Sequence, residues 1–230
     1  MKKSLIVLSV LLLSGAAALA QTGEQKKTEV IFEDPVAGEK VGGFPSRWES
    51  YGGEACQVVK LDTVQAIKLN EWYTAIVPKM KEENYLPEAF TIEFDVWSNE
   101  THGDSINDNI VLYLFSENRE DDIVVWLNPA YGVSGGDKHA PLCYEYYSPD
   151  DEYHEGQATE TELDPLIEAN TWVKAKATFD KGAFKYYVNG TLVLSLNEVA
   201  RPTRMRLVSV SNCDEQDRFF LRNIRIIKGI

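Results

Sequence analysis

Histidine and cysteine are scarce, with three of each in 230 residues. No CxxC pair and no Cys/His spacing of a zinc site occurs. Cys56, Cys143 and Cys213 are an odd set, so any single bridge leaves one thiol free. All three read best as small buried hydrophobes, with a disulfide as the alternative. His102, His139 and His154 fall in polar stretches expected to be loops, and no Ser or Cys has a recognisable base partner. Gly132 to Gly136 is followed by no helix pattern, which argues against a phosphate loop. There is no heptad, no long amphipathic helix and no clear internal repeat. Basic residues are in deficit, 23 against 36 acidic, for a net charge of −13. Such a surface repels nucleic acid and anionic headgroups and suits a neutral ligand or a cation, while also serving solubility.

One long apolar run exists, from Leu5 to Leu13, preceded by Lys2 and Lys3 and followed by Ala18-Leu19-Ala20. It is shorter than the roughly 20 residues of a membrane span, so no transmembrane segment is expected. Its layout is that of a secretory signal cleaved after Ala20. The expected organisation is a signal over 1–20, a flexible segment over 21–27, and one domain over 28–230, in a periplasmic or secreted protein.

The rest of the chain is short strands broken by turns. Strands are expected at 28–33, 57–61, 64–69, 73–77, 90–97, 109–115, 122–127 and 141–147. Glu117 to Asp122 is expected as a hairpin loop. The polar stretch Ser148 to Asp164 is expected as a long loop, with a short helix near Pro165–Glu168. Further strands run through 173–179, 184–188, 192–196, 205–210 and 219–227, with Asn189-Gly190 supplying the positive φ of a tight hairpin. The fold class is all-β, a two-sheet antiparallel sandwich of the jelly-roll type.

Three groups of residues could carry function. Alternation puts Glu93, Asp95 and Trp97 on one strand face, opposite Ile92, Phe94 and Val96. That face should be open, offering two carboxylates and an indole to a glycan. Retaining glycosidases place two carboxyls about 5–5.5 Å apart, a spacing within reach of positions i and i+2. Cross-strand pairing of Glu93 and Asp95 with Lys174 or Lys176 is the structural alternative. Asp104 and Asp108 lie in an oxygen-rich loop that could ligate a rim calcium, without EF-hand spacing. Trp126, Tyr144 and Tyr146 belong to an aromatic group, with Trp97, Tyr147 and Tyr153, of the kind that stacks on sugar rings. Tyr144 and Tyr146 share one strand face, and one of the two faces should be core.

The last third resembles a known superfamily. Trp172-Val-Lys-Ala-Lys-Ala-Thr-Phe-Asp-Lys-Gly, Phe184-Lys-Tyr-Tyr-Val-Asn-Gly-Thr and the ending Phe220-Leu-Arg-Asn-Ile-Arg-Ile-Ile-Lys-Gly are similar to the core of laminin-G and concanavalin A-like lectin/glucanase domains. The opening, Phe32-Glu-Asp to Trp48, is similar to sandwich domains of exported Gram-negative envelope proteins. The resemblance implies the jelly roll and leaves function open among lectins, hydrolases and adhesion modules. The family 16 hydrolase pattern Glu-x-Asp-x-x-Glu fails here, because Ser98 stands where the second Glu belongs and Glu100 is two residues late. The leading expectation is an exported, non-catalytic module binding a glycan or cell-envelope component. The alternatives are a glycoside hydrolase, or a structural envelope domain that binds another protein.

Overall fold

The computed structural model describes residues 29–53, 56–69, 73–98, 109–128, 142–158, 171–210 and 219–230. The expected signal and flexible segment, Asp104 and Asp108, Cys213, and the helix near Pro165–Glu168 lie outside the described residues. Those residues form fifteen strands in two antiparallel sheets, a β-sandwich. No helix among them is long and apolar enough to cross a membrane.

The first sheet, sheet A, is built around β6 (Ala89–Ser98). Its Phe90, Ile92, Phe94 and Val96 are at most 2% exposed, because period-two alternation turns all four into the core. β11 (Val173–Asp180) pairs along its whole length with β6 and buries Val173, Ala175, Ala177 and Phe179 in the same layer. Beyond it come β12 (Ala183–Val188) and β13 (Thr191–Leu196), joined by Asn189 at φ 48° and Gly190 at φ 87°. That backbone is the left-handed two-residue turn the Asn-Gly pair predicts. On the other flank of β6 lies β15 (Phe219–Lys228). The far edge of β15 is shared by β4 (Val64–Leu69), which leads to β3 (Gln57–Leu61), and by β1 (Glu29–Asp34). β1 ends on a buried staple. The Asp34 carboxylate accepts from the Trp48 indole Nε1 at 2.7 Å and from the Val36 amide at 2.8 Å. That second bond holds the fully buried Val36 at φ 62°, a strained setting for a β-branched residue.

The second sheet, sheet B, orders β10 (Tyr153–Gln157), β9 (Leu142–Tyr147), β8 (Arg119–Leu127), β7 (Asn109–Ser116), β14 (Arg204–Val210), β5 (Tyr73–Pro78) and β2 (Trp48–Gly53). Ile110, Leu112, Leu114, Ile123, Val125, Leu127, Met205 and Leu207 meet the inner side of sheet A in one continuous core. Two strands differ from expectation. β2 forms where only a loop end at Trp48 was expected, and β10 lies inside the expected polar loop. His154 therefore stands in a strand, stacked on Tyr146 with ring centres 4.7 Å apart. The expected loop from Glu117 to Asp122 shrinks to a turn at Glu117 and Asn118, because Arg119 to Asp122 already belong to β8.

Candidate functional site

The sandwich has two outward faces, and the expected site residues are divided among these faces and the core. Glu93, Asp95 and Trp97 share the outer face of sheet A, as alternation requires. That face is not open at Asp95, which is 7% exposed. Its Oδ2 accepts from Asn223 Nδ2 at 2.8 Å and from Arg222 Nε at 3.1 Å. Asn223 reaches it because β15 bulges between Arg222 and Arg225, putting Asn223 at φ 52°. Glu93 is half-buried, with its Oε2 3.8 Å from Arg225 Nη1, while Arg225 Nε sits 3.1 Å from Glu33 Oε1. Trp97 meets Phe220 edge-on, ring centres 5.3 Å apart, and the Arg222 guanidinium lies 4.0 Å over the Trp172 ring. A shallow depression of ≈ 540 Å³ opens here, between the Gly190 turn and the Asn223 bulge.

Trp126 lies on the outer face of sheet B. The register aligns Cys143, Trp126, Val111, Val208 and Ala75 across five strands, and beside them Glu145, Val124, Tyr113, Arg206, Val77 and Glu49. The small residues Ala75, Val111, Val124 and Val208 make a second apolar cluster, each at most 1% exposed, with Tyr113, Trp126 and Val210 packed against it. Arg206 extends this floor. Its guanidinium carbon is 4.3 Å from the Tyr113 ring centre, 4.9 Å from Tyr51 and 5.6 Å from Phe115. Arg204 lies over Phe115 and pairs with Glu83 at 2.7 Å; Arg119 lies 3.6 Å over Tyr147 and pairs with Asp151. Burial raises the phenol pKa of Tyr113, with neighbouring Tyr73, Glu145 and Asp121 acting in the same direction and Arg206 opposing them. Tyr51, Tyr73 and Tyr153 are each over two-fifths exposed, so aromatic surface faces solvent from one edge of the sheet to the other.

Tyr144 and Tyr146 belong to neither face. They stack on one another at 6.4 Å and pack against the main core, so the side of β9 that carries them is the inner one. Cys56 is buried and Cys143 half-buried; both are free thiols, and burial pushes Cys56 up to about 12. Among the described residues no group of three or more His, Cys, Asp or Glu side chains could hold a metal ion. Tyr51, Tyr113 and Arg206 were missed by sequence reasoning. A signal was present in 109–115, where Val111, Tyr113 and Phe115 leave both strand faces apolar, as in a strand covered on both sides.

The two-sheet sandwich is shared by several solved structures. The receptor-binding domain of botulinum neurotoxin mosaic serotype C/D superposes with a TM-score of 0.58 at 15% identity, over 87% of this chain and 47% of that one. The binding domain of Paraclostridial Mosquitocidal Protein 1 gives 0.57 at 16%, over 87% and 49%. Domain 4 of AbnA, a GH43 extracellular arabinanase from Geobacillus stearothermophilus solved with arabinotriose, gives 0.54 at 14%, over 88% and 93%. This chain thus spans about half the length of the two toxin domains and nearly all of the arabinanase domain. At these identities the likeness is one of fold. No protein-family model and no curated protein matches the sequence.

Proposed function

We propose that this chain is an exported, non-catalytic module that binds a neutral glycan on the outer face of sheet B. The observation that carries the reading is the aromatic surface of Tyr51, Tyr73, Tyr113 and Trp126 above a floor of small buried residues. Aromatic faces take the apolar faces of sugar rings, and Glu145 and Glu155 supply polar groups at the margin. The shared fold with an arabinanase domain solved with arabinotriose supports the reading. The hydrolase alternative draws no support from Glu93 and Asp95. Asp95 is buried with its Oδ2 held by Arg222 and Asn223, and Glu93 faces Arg225, so neither is placed as a free nucleophile or acid.

The test is titration with arabinotriose and a panel of neutral oligosaccharides. Trp126→Ala is expected to weaken binding by at least about tenfold, the equivalent of 1.4 kcal/mol, with the fold retained. Unaltered binding in a folded Trp126→Ala variant would overturn the assignment of this face. Hydrolysis of any bound oligosaccharide would overturn its non-catalytic character. Export is checked by the mass of the mature protein, expected to begin at Gln21.

A further inference from the structure

The depression on sheet A has an unexpected charge arrangement. The register sets Lys174 opposite Asp95 and Lys176 opposite Glu93, which would give two cross-strand ion pairs. Those pairs do not form. Asp95 turns the other way, to Arg222 and Asn223 of β15, and Glu93 turns toward Arg225, which also holds Glu33. The carboxylates in the depression are thus engaged on its β15 side. Among the described residues neither Lys174 nor Lys176 has an ion-pair partner. Both line the depression, two positions apart on one strand face, so their stems rise roughly 6–7 Å from each other. Lys176 Nζ rests 4.2 Å above the Tyr187 ring, which fixes its direction.

We propose that this depression is a second binding site, taking a small organic molecule through one anionic group, a carboxylate or a phosphate ester, held between the ammonium groups of Lys174 and Lys176. Its volume of ≈ 540 Å³ lies in the usual range of small-molecule sites, about 300–1,000 Å³, and admits a molecule of monosaccharide to disaccharide size. The net charge of −13 does not oppose this. At physiological salt a charge more than about 8 Å away is largely screened, so the ligand meets the lining itself, where Glu33, Glu93 and Asp95 are offset by Arg222 and Arg225 and the two lysines remain over. The site is independent of the aromatic face, which belongs to the other sheet.

Calorimetric titration of the whole chain with glucuronate, glucose 6-phosphate and glucose tests the proposal. At least one of the two anions is expected to bind where glucose does not, with affinity falling as salt is raised. Binding of glucuronate alone identifies a carboxylate site; binding of glucose 6-phosphate alone identifies a phosphate site. Lys174→Ala with Lys176→Ala is expected to weaken binding at least about tenfold, and the paired arginine variant to retain it. Should the double alanine variant lose its fold, Lys174→Gln at the exposed position replaces it. Trp126→Ala is expected to leave anion binding intact, which separates failure here from failure of the glycan reading. Absence of binding by both anions, equal binding of glucose, or unchanged affinity in the folded lysine variants would each overturn the proposal.

Discussion

The two outer faces solve the same problem by different means. Each must place arginines on the solvent side of a sheet. On sheet A, Arg222 and Arg225 are matched with carboxylates, Asp95, Glu93 and Glu33, and Arg222 also lies over the Trp172 ring. On sheet B, Arg206 lies across the rings of Tyr113, Tyr51 and Phe115, and Arg204 and Arg119 add ring contacts to their ion pairs. The first arrangement engages Glu93 and Asp95 and leaves Lys174 and Lys176 without an ion-pair partner among the described residues. The second covers apolar floor with flat, amphipathic surface. The difference teaches that the carboxylates most conspicuous in sequence are engaged by β15, while less conspicuous aromatics stand exposed on the other sheet.

The largest effect expected from this contrast is on stability. Asp95→Ala removes the acceptor of two donors and leaves the Arg222 guanidinium without its carboxylate, at an expected cost of about 3 kcal/mol in denaturant unfolding. A cost under about 1 kcal/mol would mean that the two faces do not differ in this way. The next effect is on kinetics of exchange. Amides of β7 and β14, covered on both sides, are expected to exchange more slowly than those of the edge strand β10. Smaller again is Glu93→Gln, expected to change stability by less than about 0.5 kcal/mol, because its partner Arg225 stays 3.1 Å from Glu33. Salt titration of the unfolding midpoint should show the residual contribution of Glu93 vanishing first.

The smallest prediction concerns pH. Asp122, on β8, is 3% exposed and its Oδ2 has no hydrogen-bond partner among the described residues. Burial raises its carboxyl above the usual 3.8, while Ser116 and Arg119 act in the opposite direction. A carboxyl with a raised folded pKa costs stability while ionised, and that cost is relieved as pH falls through the folded value. Asp122→Asn is therefore expected to raise the melting temperature slightly at neutral pH and to erase the gain the wild type shows on mild acidification. Parallel melting curves for the two proteins would contradict this.

Much of the fold was legible because strands such as β6 and β11 turn one alternating apolar set into the core. The alternation in 90–97 and 173–179 and the Asn189-Gly190 pair predicted β6, β11 and the hairpin that follows. β2 was missed because Ser50-Tyr51-Gly52-Gly53 carries no alternation and bends at Gly52, φ 143°. β10 was missed because an edge strand with no buried residue has no apolar period to show. The site was less legible. Sharing of one face by Glu93, Asp95 and Trp97 follows from local geometry, whereas the closing of that face at Asp95 depends on Arg222 and Asn223, more than 120 residues away and reached only through a bulge. The inward direction of Tyr144 and Tyr146 depends equally on which sheet β9 joins.

The pairing of β1 with β15 brings Glu29 opposite Lys228, where an ion pair of 2.9 Å joins the two ends of the described fold. Force applied at those two points acts across the strands rather than along them. The ladder then opens like a zipper, one backbone bond at a time from Glu29 toward Asp34, instead of shearing all its bonds together. Resistance to a pull on the ends is accordingly expected to stay low until the Asp34–Trp48 staple, the first buried side-chain bond on that path, is reached.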